Sequence, residues 1–184
     1  LLLHLPVVED GQYRGLLSSD DLLDAAPHQV IGDLHVQPIL ASVSAHEHFF
    51  SAVRIMANQN LSALPVIAAS KEYVGTITRQ HLFLHMANVL GLQASGALIV
   101  MQMEPRQFSI SELSKLVETN DATITQLNTA TNDVSGLLTI TIRLNKQEVS
   151  AVVATLQRYD YHVEYYSGEE HYENELRHNY NHLM

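Results

Sequence analysis

The feature that most constrains this chain is an internal repeat: LPVVEDGQYRGLLSSDDLL, Leu5 to Leu23, recurs as LPVIAASKEYVGTITRQHLF, Leu64 to Phe83. Self-similarity of this kind marks one supersecondary unit used twice, each copy unable to bury its apolar face alone. Both copies read as an apolar strand after Leu-Pro, a polar turn, then Tyr-x-Gly, β-formers and a hydroxyl residue. The strands Val7–Glu9 and Tyr13–Leu17, and again Val66–Ala68 and Val74–Ile77, are spaced to pair as hairpins. A helix is predicted after Ser18 and after Thr78. The second copy also shows a helix ahead of its Leu-Pro: Ser44 and Glu47 read as a capping box, and Phe49, Ala52, Val53 and Met56 as an apolar stripe. The first copy has only Leu1–His4 there, so we expect its leading element to be incomplete and residues to precede Leu1.

After Gly91 the pattern changes, with Leu92–Gly96 reading as a linker. Ala97–Glu104 is β-like, and Ser109 with Glu112 reads as a capping box for a helix carrying Leu113, Leu116 and Val117. A Thr-rich strand, Ala122–Ala130, follows. Leu138, Ile140, Ile142 and Leu144 alternate with Thr139, Thr141 and Arg143, the mark of a strand with one buried face. Asn145 and Glu148 are expected to cap a helix with Val149, Val152, Val153 and Leu156, and Tyr161–Tyr166 closes as a strand. The order β-α-β-β-α-β predicts a ferredoxin-like arrangement. The expected division is 1–91 for the repeat pair (1–35 partial, 36–91 second), 97–168 for the ferredoxin-like domain and 169–184 for a polar tail.

Composition narrows the function classes. The 184 residues allow one large domain or two small ones, and 46% apolar content supplies a core. Ten Lys and Arg against twenty Asp and Glu give a net charge of −10 with no basic stripe, which argues against a nucleic-acid surface. The opening LLLHLPVV is far short of a membrane span and lacks the marks of a signal peptide. The absence of cysteine removes disulfides, thiolate chemistry and Cys-based zinc sites, and fits a cytoplasmic location. No Ser–His–acid, Cys–His or paired-carboxylate arrangement is specific enough to support catalysis, so we expect no enzyme.

The two blocks LPVV…GLLSSDDL and LPVI…GTITRQHL resemble cystathionine-beta-synthase-type (CBS) domains, over roughly Leu1–Leu90. That resemblance implies a tandem pair binding an adenine nucleotide, whether AMP, ADP, ATP or S-adenosylmethionine, in its clefts. Leu98–Gly168, through its element order and the block IVMQMEPRQFSISELSKLVETNDATI, resembles an ACT domain, a regulatory module that dimerises and sometimes binds amino acids. Together the two are similar to acetoin-utilisation-type regulatory proteins. The fold class expected is α+β: a CBS pair with an N-terminally incomplete first unit, then an ACT domain. A homodimer and a regulated protein partner follow as expectations; the alternative is a module that only assembles or scaffolds.

The family pattern Gly-x-x-[Ser/Thr]-x-x-Asp places a hydroxyl near phosphate and a carboxylate toward ribose. The first copy supplies Gly15, Ser18 and Asp21. An anion suits a helix N-terminus, and a carboxylate accepts bonds from a diol. The same residues also read as a simple cap. The second copy supplies Gly75 and Thr78, but His81 stands in the Asp position, and neutral imidazole cannot make a bidentate carboxylate bridge. Arg79 is the better of two cationic candidates for phosphate, the other being Arg54; a solvated surface role is its alternative. The apolar Leu5–Val7 and Leu64–Val66 fit either a base-lining wall or strand core.

Eleven histidines raise the question of a metal. His81 and His85 share a helix face, yet Leu82 stands where HExxH requires Glu; His46 and His48 share no face; His171, His178 and His182 fall in the polar tail. We expect no metal site. The loop Glu104–Phe108 lacks the Gly that lets an amino acid approach an ACT backbone, leaving dimerisation as that domain's expected role.

Overall fold

The computed structural model describes residues 3–167 apart from Asp24, Pro27, His35 and Val36; the expected tail at 169–184 lies outside the described residues. The chain divides into two compact units, 1–89 and 90–184.

In the first unit, β1 (His4–Glu9) and β2 (Gln12–Ser18) form an antiparallel hairpin. β3 (Val43–Ser44) leads into helix α1 (Phe49–Asn58), followed by β4 (Ala63–Ile67), β5 (Tyr73–Thr78) and helix α2 (Arg79–Val89). β3 runs parallel to β4, and β4 antiparallel to β5. The repeat extends to the irregularities. Each hairpin shifts register at the same place, Val7/Val8 opposite Gly15 and Tyr13, and Val66/Ile67 opposite Gly75 and Tyr73. Tyr-x-Gly is therefore the signature of a β-bulge whose middle residue, Arg14 or Val74, is left unpaired and exposed.

The two hairpin tips clasp one another. Tyr13 N–H donates to Lys71 O (3.3 Å) and Tyr73 N–H to Gly11 O (2.8 Å), around a bridge between Gln12 and Glu72. The repeats thus exchange bonds as the halves of a two-fold. Leu16, Val43, Ala52, Met56, Leu61, Leu64 and Leu82 are buried together beneath them.

Two expectations are corrected here. Ser44 and Glu47 do interact, Ser44 N–H donating to Glu47 Oε1 (3.2 Å), but they fold a turn. Ser44 is committed to β3 and Ala45 N–H donates to Ile67 O, so α1 begins later, with His48 Nδ1 accepting from Phe50 N–H. Secondly, only a 3-10 turn, Asp20–Leu22, follows Ser18. The sequence offers one reason: a longer helix would meet Pro27, which has no N–H to donate.

The second unit runs β6 (Leu98–Met103), α3 (Ile110–Glu118), β7 (Ile124–Thr131), β8 (Leu138–Leu144), α4 (Ser150–Arg158) and β9 (His162–Ser167). Its sheet has the order β7-β8-β6-β9, every neighbouring pair antiparallel. Ile99, Met101, Ile140, Ile142 and Leu144 alternate into a core shared with Leu113, Leu116 and Val117 of α3 and Val152, Val153 and Leu156 of α4. Ser109 caps α3 by accepting from Glu112 N–H. The cap expected at Asn145 is corrected: its Oδ1 accepts from Thr123 N–H (2.9 Å), joining the segment before β7 to the end of β8. Glu148 accepts instead from Ser150 N–H.

Candidate functional site

The site is built where β1 begins and β2 ends. Their register makes His4 and Ser18 cross-strand partners, so their side chains emerge on one face of the hairpin. Ser18 then meets Asp21 across the turn. Ser18 N–H (2.7 Å) and Ser18 Oγ–H (2.8 Å) both donate to Asp21 Oδ2, while Asp21 N–H donates back to Ser18 Oγ (3.2 Å). Those bonds, the backbone one foremost, hold the Asp21 carboxyl below its ordinary range. Both Ser18 bonds end on one oxygen, and Oδ1 carries none of the hydrogen bonds among the described residues. The cap is real, and it leaves an acceptor over.

Gly15 is fixed by packing. It has φ +148°, and a Cβ there would overlap Pro38. The close approach lets Leu16 and Ile39 exchange both backbone bonds, at 2.8 and 2.9 Å. Gly75, its counterpart, has open space where a Cβ would go. Beyond Thr78 the second copy is simpler: His81 N–H donates to Thr78 Oγ1 (3.2 Å), and His81 itself is exposed.

Arg79 is engaged elsewhere. Its Nε and Nη2 donate to Leu61 O (3.2 and 2.9 Å), and Nη2 also to Asn60 Oδ1 (3.1 Å). The guanidinium ties α2 to the turn between α1 and β4, and joins Val53, Met56, Leu82, Phe83 and Met86 around an apolar groove of about 250 Å³. Of the seven residues singled out from sequence, that groove includes Arg79 alone.

Two residues that sequence reading missed lie at the junction of the copies. Leu3 N–H and His4 N–H both donate to Ser62 Oγ (2.8 and 3.0 Å), Ser62 N–H donates to His4 Nδ1 (3.2 Å), and Ser62 Oγ lies 3.1 Å from Nδ1. Ser62 is buried, and its carbonyl accepts from Arg79 N–H at the start of α2. The available signal was a buried-type position in the second copy occupied by a hydroxyl. Tyr13 adds another tie: its hydroxyl donates to Ala41 O (2.7 Å), and burial pushes its pKa up to about 12.

No cluster of three or more His, Cys, Asp or Glu able to hold a metal occurs among the described residues. No helix among them is long and apolar enough to cross a membrane.

Comparison with known proteins gives this half of the chain its class. The CBS domain family model matches residues 2–28 and again 31–88. The repeat region is a pair of CBS domains. Among curated proteins none matches the chain. Similar solved structures include the cytosolic domain of the Mg2+ channel MgtE in complex with ATP, at 24% identity and a TM-score of 0.41, over 46% of this chain and 34% of that one. A CBS domain pair/ACT domain protein from Thermotoga maritima is 18% identical, with a TM-score of 0.43, covering 48% of this chain and 73% of its own. CBSX2 in complex with AMP is 24% identical, with a TM-score of 0.41, over 47% and 73%. The chain spans about a third of the first of these and nearly three quarters of the other two.

Proposed function

We propose that this is a regulatory protein whose CBS pair senses an adenine nucleotide and passes occupancy on through dimer or partner contacts, without catalysis of its own. The observation that carries the reading is the Asp21 carboxylate, anchored on Ser18 through one oxygen and holding the other in reserve. Gly15, Ser18 and Asp21 form the principal site; Gly75, Thr78 and His81 form a second, poorer in ribose acceptors, where Arg79 acts as a brace. In this reading residues 97–168 are an ACT-type domain that supports assembly, within a cytoplasmic protein similar to acetoin-utilisation-type regulators. The β-α-β-β-α-β order supports the ACT assignment.

Calorimetry with AMP, ADP, ATP and S-adenosylmethionine tests it, at least one being expected to bind with one strong site per chain. Asp21→Asn keeps an acceptor for Ser18 but loses the charged one. Hydrogen bonds to charged groups are the stronger class, so affinity should fall roughly ten- to a hundredfold with little change in unfolding temperature. Unchanged affinity with a large loss of stability would leave Asp21 a cap only.

A second reading, an assembly module without ligand, draws on one observation: α1 and α2 leave Phe50 and Phe83 60% and 69% exposed. A chain that ignores all four ligands yet scatters light as a dimer would favour it.

A further inference from the structure

Carboxylates are spread unevenly along this chain. Of its twenty Asp and Glu, only Glu72 falls between Glu47 and Glu104, a stretch that also holds Arg54, Lys71 and Arg79. Helices α1 and α2 lie within it and carry no carboxylate, while the chain as a whole has a net charge of −10. The groove between them joins that asymmetry to apolar surface. Its walls are Val53, Met56 and Ala57 of α1 and Leu82, Phe83 and Met86 of α2, with Asn60 and Arg79, bonded to each other, at one end. The wall positions are three and four apart on both helices, so each wall is a continuous stripe. Phe50 and Arg54 flank the α1 stripe, four residues apart and both exposed. α2 is apolar on more than one side: Leu82 is buried, yet Phe83, Leu84 and Val89 are exposed, and a helix of that kind is ordinarily covered.

We propose that the groove between α1 and α2 docks an amphipathic helix of a partner protein, apolar on one face and flanked by Asp or Glu. The inference deepens the reading above by giving its partner contact a chemistry, and it rests on that reading only in taking the protein to act through a partner. A helix suits the groove better than an extended segment does. The groove offers polar groups only at its Asn60–Arg79 end and could not satisfy a strand's backbone, whereas a helix bonds its own. Met56 and Met86 let the walls adapt to the side chains that enter. Arg54 has no ion pair among the described residues, and the bonds of Arg79 run through Nε and Nη2, leaving Nη1 over. Carboxylates flanking the incoming helix would meet both. A second copy docked on the same face supplies none, since a two-fold contact sets this patch against itself.

Two helical peptides of about four turns, sharing one Leu face and flanked by Glu in one and Lys in the other, are titrated against the full chain by fluorescence anisotropy. The Glu peptide should bind at least roughly tenfold tighter, with the preference shrinking as salt is raised. Phe83→Ser should abolish binding, and Arg54→Glu should erase the preference between the peptides. Both side chains are exposed, so unfolding temperatures should hold. A third peptide, with the same Glu but its Leu scattered around the helix, should not bind. Equal affinity for the Glu and Lys peptides, binding of the scattered one, or no binding at all would overturn the inference. So would light scattering that shows a dimer dissociated by Phe83→Ser and untouched by excess Glu peptide, because a second copy then covers the face. None of these results decides the nucleotide reading, which calorimetry with the four adenine ligands tests separately.

Discussion

The two CBS copies carry the same Tyr-x-Gly bulge and use it differently. In the first, Gly15 is compelled by Pro38, Tyr13 reaches across to Ala41 O, and Ser18 and Asp21 bond reciprocally. In the second, Gly75 faces open space, Tyr73 bonds its near neighbour Thr76 (2.8 Å), and Thr78 accepts a single bond from His81 N–H. A full α-helix follows Thr78, where the first copy has one 3-10 turn. The copy with less regular structure has therefore gathered more specific contacts. Backbone geometry repeats because the bulge is local; side-chain chemistry diverges because each copy meets different neighbours.

The largest effect that would sharpen this contrast is at the glycines. Gly15→Ala must accommodate both an unfavourable φ and an overlap with Pro38, and should destabilise the first unit by about 2–4 kcal/mol. Gly75→Ala should be neutral or stabilising by about 0.4–1 kcal/mol, through the unfolded chain. Chemical denaturation of the two variants compares them, and equal losses would break the distinction. Next come the tyrosines. Tyr13→Phe strands a contact that holds the segment before β3, and should cost about 1 kcal/mol, whereas Tyr73→Phe removes a local bond and should cost less.

The last contrast is a pH dependence confined to the alkaline range. The Tyr13 hydroxyl has a folded pKa of about 12 against an ordinary value of 10.0. A raised pKa means the folded state holds its proton more tightly, so the contribution is complete below about 10 and is lost as pH rises through about 12. Alkaline unfolding curves should show that decline in the unaltered protein and a shallower one in Tyr13→Phe. Identical slopes would separate Tyr13 from the effect.

Much of this was legible in the sequence for physical reasons. Periodicity reports burial, so the strand Leu138–Leu144 and the apolar stripes of α1, α3 and α4 could be read directly. The Ser18–Asp21 contact spans three residues and follows from cap chemistry. What could not be read was contact between distant segments. Ser62 and His4 meet only because the copies pack together, and Asn145 is drawn off to Thr123 by sheet pairing, so neither pattern predicts its partner. Arg79 resembled a phosphate ligand because its sequence neighbour is Thr78, but the carbonyl of Leu61 lies nearer in space than any position along the chain could reveal. Where a cap competes with a strand bond, as at Ser44, the strand prevailed.

The clasp between the hairpin tips bears on how the molecule opens. The amides of Tyr13 and Tyr73 each depend on the opposite copy for an acceptor, so neither can exchange its hydrogen with solvent by a fluctuation confined to its own hairpin. Opening one tip releases both. In native-state hydrogen exchange the two amides should share one free energy and one denaturant sensitivity, the behaviour of a single cooperative unit. The doubling visible in the chain would then vanish from its energetics, with two copies written and one foldon formed.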